Sequence, residues 1–328
     1  MGKALDSRKE LVNRLIEKME SGELKWNSGH AQVGFGINPT TGNRYKGGNY
    51  IRLKASSFEK NFKDPRWMTF KQGTSLGYKL KKGSKGTLLE KFQPAEYEYK
   101  EDDNGNVSAK LKKNGFLKAF YVFNAEQFEN VPPLELKEYD HEEQDKIFTS
   151  LLERSEAKIY LDRIADNFYV PARDEIHVMD SKYFEDIREW YGTVTHEIGH
   201  STGHESRLNR PLQGKRGGVQ YAKEELRAEL ISAMICEELG FQRPEHEENH
   251  AAYLQSWIKV LKDDPNELFH AAADASKAVD YIRDRMIDKT LLRDFEAIRL
   301  PDLKKEASQE KETVPFTVSR PTGKGMER

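Results

Sequence analysis

The sequence predicts an α+β protein of two domains, and three observations carry that prediction. At 328 residues the chain exceeds one typical domain. Gly-rich, strand-like segments fill the front, whereas long segments of three- and four-residue apolar period fill the back. Charge divides at the same place: residues 1–130 hold 24 Lys and Arg against 15 Asp and Glu, and the remainder holds 29 against 40. The boundaries drawn on these grounds are 1–130 for the first domain, 131–150 for a linker, 151–300 for a mainly helical second domain with a small sheet, and 301–328 for a disordered tail.

The elements follow in order. Ser7 and Glu10 form a capping box for a first helix, Leu11, Leu15, Ile16 and Met19 make its apolar stripe, and Gly22 stops it. From Trp26 to Leu53 the chain is Gly-rich, with turns at Asn38–Gly42 and Gly47-Gly48, and short strands are expected. LKKGSKGTLLEKF and GFLKAFYVFNAEQF read as strands around loops at Lys81–Gly86 and Glu101–Asn106. The second loop lacks the spacing and terminal Glu of a calcium loop and reads as a solvated turn. Pro and acidic residues from Val131 to Gln144 indicate a linker, after which a helix is expected from about Asp145 to Glu156. DEIHVM, Asp174–Met179, reads as a strand, expected at a sheet edge where an extended peptide can pair with it. A helix over about 182–202 buries Ile187, Tyr191, Val194 and Ile198, and an acidic helix, YAKEELRAELISAMICEELGF, follows. Asp264-Pro265-Asn266-Glu267 opens a further helix that runs to about Arg285. Beyond Asp302 the composition cannot bury a core.

The chemistry concentrates in YGTVTHEIGHSTGH. His196 and His200, at i and i+4, lie one turn apart on one helix face and can converge on one cation, the H-E-x-x-H arrangement. Imidazole suits Zn²⁺, which lowers the pKa of a bound water to about 7. Glu197 then stands beside the first ligand as a general base. A structural site has no use for such a base, which favours a catalytic reading. A third ligand is sought on the acidic helix among Glu224, Glu225 and Glu229. Glu225 is favoured, with Glu229 one turn further on as a hydrogen-bond acceptor for a ligand imidazole. His204 continues the i+4 ladder as another candidate ligand, although Gly203 is placed to end the helix first. His250 and Tyr221 are candidates for stabilising an oxyanion, each weighed against a packing role.

The basic front calls for a different partner. Between Arg44 and Lys85 there are 12 basic residues against 2 acidic ones, and aromatics are interleaved with them. Cations that meet phosphates and rings that stack on bases are how single-stranded nucleic acid is held without sequence choice. Arg44, Tyr45, Lys46, Arg52, Trp67, Lys71 and Lys79 are the candidates. The single cysteine, Cys236, excludes a disulfide framework within the chain. No run of 18 apolar residues and no apolar leader is present, so a cytoplasmic location is expected. No repeat, Walker loop or C-x-x-C is found.

Together these residues resemble a known family, the ArdC-type anti-restriction proteins of plasmids and other mobile elements. The resemblance runs from about Arg8 to Arg285. Its marks are N-P-T-T-G-N-R-Y-K-G-G-N at Asn38–Asn49, WMTFKQ at Trp67, KKGSKG at Lys81 and VFNAEQF at Val122. In the second half they are the H-E-I-G-H segment, R-L-N-R at Arg207, EELRAEL at Glu224 and HAAYLQSWIKVLK at His250. Between Trp26 and Asn38 the family's Pro-rich stretch is replaced. The resemblance implies an N-terminal single-stranded DNA-binding domain, to which the marked segments add Asn49, Lys82 and Lys85, and a C-terminal zincin-like metallopeptidase domain using Zn²⁺ or another divalent metal such as Mn²⁺. It also implies protection of incoming DNA. A protein or peptide substrate, such as a component of host restriction machinery, is then expected. The competing reading is a non-proteolytic DNA-protective or conjugation accessory protein whose metal site is structural or vestigial.

Overall fold

The computed structural model describes residues 2–22, 36–101, 107–134, 139–215, 217–240, 247–292 and 300–301. The tail expected at 301–328 and the replaced stretch before Asn38 therefore fall largely outside the described residues. The chain opens with α1 (Gly2–Glu20), α2 (Gly48–Lys60), β1 (Trp67–Met68), α3 (Phe70–Ser75), β2 (Lys79–Leu80) and β3 (Thr87–Gln93). It continues with β4 (Glu96–Glu101), β5 (Val107–Lys113), β6 (Phe116–Asn124) and β7 (Phe128–Glu129). The apolar stripe of α1 is buried as expected, but the helix begins at Gly2, so Ser7 is not its cap. The Ser7 hydroxyl instead accepts from Arg52. The strand expected to reach Leu53 is also a helix. Gly47, at φ 61°, makes the turn into it, and Tyr50, Ile51 and Leu53 face inward at helical spacing.

The main N-terminal sheet has the order β1-β6-β3, with β6 antiparallel to both neighbours. Leu53, Trp67, Leu89 and Val122 form a small core beneath it. Trp67 is 1% exposed and meets Phe62 edge to face.

The second half contains α4 (His141–Glu153), β8 (Lys158–Arg163), β9 (Phe168–Val170), β10 (Glu175–Met179), α5 (Ile187–Ser201), α6 (Val219–Glu238), α7 (Glu247–Asp263) and α8 (Glu267–Arg285). Helix α4 starts inside the stretch expected to be linker, because Asp140 and Glu143 close a capping box there. The small sheet has the order β8-β10-β9, parallel between β8 and β10 and antiparallel between β10 and β9. The DEIHVM strand is thus central, which corrects its expected place at an edge. Its two sides are taken by hydrogen bonds, and β9 is the edge strand next to α5.

The halves share one large core. Residues of α1 and α2, including Leu11, Val12, Tyr50 and Ile51, pack in the same buried cluster as Leu261, Phe269 and Ala272 of α7 and α8. A Cβ at Gly48 would come within 2.3 Å of the Phe269 ring, so glycine permits the close approach of α2 to α8. No helix among the described residues is long and apolar enough to cross a membrane.

Candidate metal centre

Helices α5 and α6 approach closely because small residues line their contact. Gly199 faces Ile231 and Ala228, and the Ser232 hydroxyl donates to the Gly192 carbonyl. This brings His196 and His200 against the first three turns of α6. The Nε2 of His196 lies 3.4 Å from Glu225 Oε2, and the Nε2 of His200 lies 3.5 Å from Glu225 Oε1. One ligand atom from each of His196, His200 and Glu225 falls within 4.8 Å of the others. Donors about 2.0–2.1 Å from a tetrahedral zinc are separated by roughly 3.3 Å, so the imidazole–carboxylate spacings suit a divalent cation. A Zn²⁺ or Mn²⁺ ion fits this donor set.

The other ring nitrogens are held as well. Nδ1 of His196 is 3.4 Å from Glu229, the partner expected from its place one turn beyond Glu225, and Nδ1 of His200 is 3.3 Å from Glu224. Glu224 is in turn gripped by buried Arg210, whose Nη2 donates to it over 2.7 Å and also to the Gly199 carbonyl over 2.8 Å. Each imidazole therefore has a carboxylate behind it that aims Nε2 at Glu225. Burial works against charge on these rings, yet Glu224 and Glu225 raise His200 to about 9, and Glu225 and Glu229 raise His196 well above its ordinary value. Burial opposes charge on Glu225 too, but the two imidazoles hold its carboxyl well below the usual range.

Glu197 is buried beneath the edge strand, where desolvation raises its pKa and the backbone N–H of Tyr169 in β9 donates to it. The Tyr169 ring is anchored from behind. Its hydroxyl donates to Asp174 over 2.8 Å, and Arg207, 1% exposed at its side chain, donates to that hydroxyl, to Asp174 and to the Ser201 carbonyl. Spacing along the chain offers Glu224 only as a ligand and gives no hint of the role of Tyr169. For Arg207 and Arg210 the R-L-N-R segment is the available signal, since two arginines three residues apart beside an acidic helix ask for partners.

His204 lies past the end of α5, because Thr202 caps the helix and Gly203 turns the chain, and its Nδ1 meets Ser206. It is not part of the converging group. Tyr221 is half-buried on α6, one turn before Glu225. His250 belongs to α7, but its side chain lies outside the described residues.

The candidate DNA contacts divide sharply. Arg44 is buried against Glu238, Lys46 pairs with Asp280, and Arg52 is buried against Glu90. Asn49 exchanges two hydrogen bonds with the Glu90 backbone along the β3 edge. Tyr45 donates to the Trp67 carbonyl, and Trp67 itself is enclosed. Arg44 and Arg52 are paired in the interior and the Trp67 indole is covered, so these side chains are engaged within the fold, whereas the Lys46 pair lies at the surface with about half of its side chain exposed. Lys71, Lys79, Lys82 and Lys85 remain exposed, with Lys79 3.3 Å from Glu129.

Similarity to known proteins follows the same two-part plan. Residues 5–123 match the N-terminal domain of anti-restriction factor ArdC, and residues 146–274 match the zincin-like metallopeptidase family. DNA primase TraC of Escherichia coli is 39% identical over 83% of this chain, which spans about a quarter of that primase's length (26%). An uncharacterised Sinorhizobium fredii protein, y4eC, is 26% identical over 86% of this chain and 93% of its own length. The crystal structure of the antirestriction ArdC protein from plasmid R388, metal-free, superposes with a TM-score of 0.67 at 32% identity, covering 84% of this chain and 96% of that one. Its Mn(II)-bound structure gives 0.67 at 31% identity, covering 84% and 97%. With similarity extending over nearly the whole of that protein and through both halves of this one, the chain belongs to the ArdC family of antirestriction proteins.

Proposed function

We propose that this chain is a metal-dependent peptidase joined to a single-stranded DNA-binding segment, and that it protects the DNA of a mobile element against restriction. The observation that carries the peptidase half is the convergence of His196, His200 and Glu225 beside buried Glu197. A divalent cation in that donor set supplies a Lewis acid that activates water and polarises a carbonyl. His196, His200 and Glu225 would hold it, while Glu229 and Glu224 keep the two rings in the required tautomer. Glu197 takes the proton of the attacking water and returns it to the leaving amine. Its burial favours the first step, since a carboxylate whose pKa is raised is a stronger base than an exposed one and can carry the proton between donor and acceptor. Strand β9, paired on one side with β10, offers its other side to an extended peptide as an added antiparallel strand.

The DNA half is supported by the exposed lysines and rings of the N-terminal segment and by similarity to part of a DNA primase. The peptide substrate would be a component of the host's restriction machinery. Glu197→Gln tests the reading. It should retain metal by elemental analysis and lose protection of unmodified plasmid DNA entering a restricting host. Undiminished protection with metal retained would replace the peptidase with a DNA-protective protein whose metal is structural.

A further inference from the structure

Apart from Phe70, the rings that the N-terminal segment leaves in solvent among the described residues lie outside its most basic stretch. Among described residues 36–134 the strongly exposed aromatics are Phe70 (54%), Phe92 (63%), Tyr121 (48%) and Phe116 (37%). Phe70 heads α3, and the others lie on the β3–β6 ribbon. Residues directly opposite in an antiparallel pair share a face. The register sets Leu88 opposite Tyr121, Glu90 opposite Ala119 and Phe92 opposite Leu117, so Tyr121 and Phe92 lie on one face. They are separated along it by about 13 Å, four residues at strand rise.

The charge of this face is equally specific. Glu90 is the one acid in β3 and β6, and its carboxylate is taken by Arg8 and Arg52. The loop before β3 carries exposed Lys82 and Lys85 and is pressed against Tyr121. A Cβ at Gly86 would lie 3.1 Å from the Tyr121 Cβ, so glycine lets that loop sit there. Lys71 follows Phe70. Unlike Arg44, Lys46, Arg52 and Lys54, none of Lys71, Lys82 and Lys85 is ion-paired among the described residues.

We propose that single-stranded DNA lies across this face, with Tyr121 and Phe92 stacking on bases and Lys82 and Lys85 of the adjoining loop meeting phosphates. The inference rests on the single-strand reading above and changes which residues carry it. Ring faces set beside unpaired cations, with the local acid neutralised, suit a polyanion whose bases are open, and a duplex hides the base faces that the rings need.

The test is fluorescence anisotropy of a fluorescein-labelled oligothymidylate titrated with the full chain at several salt concentrations. Tyr121→Ala and Phe92→Ala should each weaken binding by about 5- to 150-fold with an unchanged salt slope, and Tyr121→Trp should retain affinity. Lys82→Gln and Lys85→Gln should flatten the slope by about 0.7 for each phosphate that is no longer neutralised. These exposed positions can be changed without opening a core, which circular dichroism checks. If the wild-type chain fails to bind the strand, the single-strand reading falls and this surface with it. If the wild type binds and both ring variants stay within about twofold, the placement is overturned while the reading stands.

Discussion

Replacing Glu224 by Gln probes how the metal centre is held without touching a ligand. The carboxylate accepts from Arg210 and stands 3.3 Å from His200 Nδ1, with only 6% of either Glu224 or Arg210 side chain exposed. Gln keeps the size and one oxygen but removes the charge that fixes the imidazole tautomer. Removing such a partner weakens metal binding by about 10- to 100-fold. That corresponds to about 1.4–2.7 kcal/mol. Arg210 would also lose its counter-charge while still donating to the Gly199 carbonyl and the Thr202 hydroxyl. Breaking a buried pair from one side costs about 3–5 kcal/mol, so the metal-free variant should also unfold at lower denaturant. The assay is competition for Zn²⁺ against a chelating dye, read beside urea melts of the metal-free chain. Glu225→Ala should lose tight binding altogether. If Glu224→Gln binds Zn²⁺ as tightly as wild type while Glu225→Ala does not, the orienting role assigned to Glu224 is wrong.

Four further outcomes follow from the same structure. His196→Ala should leave the purified chain without stoichiometric metal whereas Glu197→Gln keeps it, which elemental analysis decides. Because His200 holds its proton up to about 9 in the metal-free chain, metal uptake at neutral pH should release protons and tighten as pH rises toward that value. Calorimetry in buffers of different ionisation enthalpy counts the released protons, and a count of zero would contradict the charged pair. Burial alone would raise Asp174, but hydrogen bonds from Arg207 and Tyr169 hold it below its ordinary value. Its stabilising effect is therefore present above the unfolded pKa of about 3.9 and lost as pH falls through the lower folded one. The gap in Tm between wild type and Asp174→Asn should thus be wide at neutral pH and close in acid. Trp67→Ala should cost about 3–5 kcal/mol in chemical denaturation, since the indole is enclosed, and a folded variant of unchanged stability would refute its core role.

Much of the metal centre can be read along the chain because a helix converts spacing into direction. His196 and His200 face one way for that reason, and Glu225 and Glu229 share a face for the same one. What spacing cannot supply is which nitrogen each carboxylate meets. Glu224 and Glu225 are neighbours in sequence but diverge by about 100° around the helix, so one reaches His200 Nδ1 and the other Nε2. The sheet edge is hidden from the sequence because β9 is only three residues long and gives no periodic signal, while DEIHVM does. The basic front is plain in the sequence, but the partner of its charges is not. A linear count cannot tell that Arg44, Lys46 and Lys54 find Glu238, Asp280 and Glu237 in the acidic back of the same molecule. Trp67 is ambiguous for a related reason, since the same ring serves as platform or core according to neighbours that only folding supplies.

The apolar cluster that runs from α1 and α2 into α7 and α8 bears on how such a chain can be inherited. A gene fragment ending near residue 130 would encode Leu11, Val12, Tyr50 and Ile51 with nothing to cover them, and one beginning near residue 150 would encode Phe269 and the buried Glu238 without Gly48 and Arg44. Either piece alone would expose part of the shared apolar cluster to water. Transfer into a longer polypeptide would then favour the two halves travelling as one cassette, and the primase similarity has that extent, covering 83% of this chain and 26% of the primase.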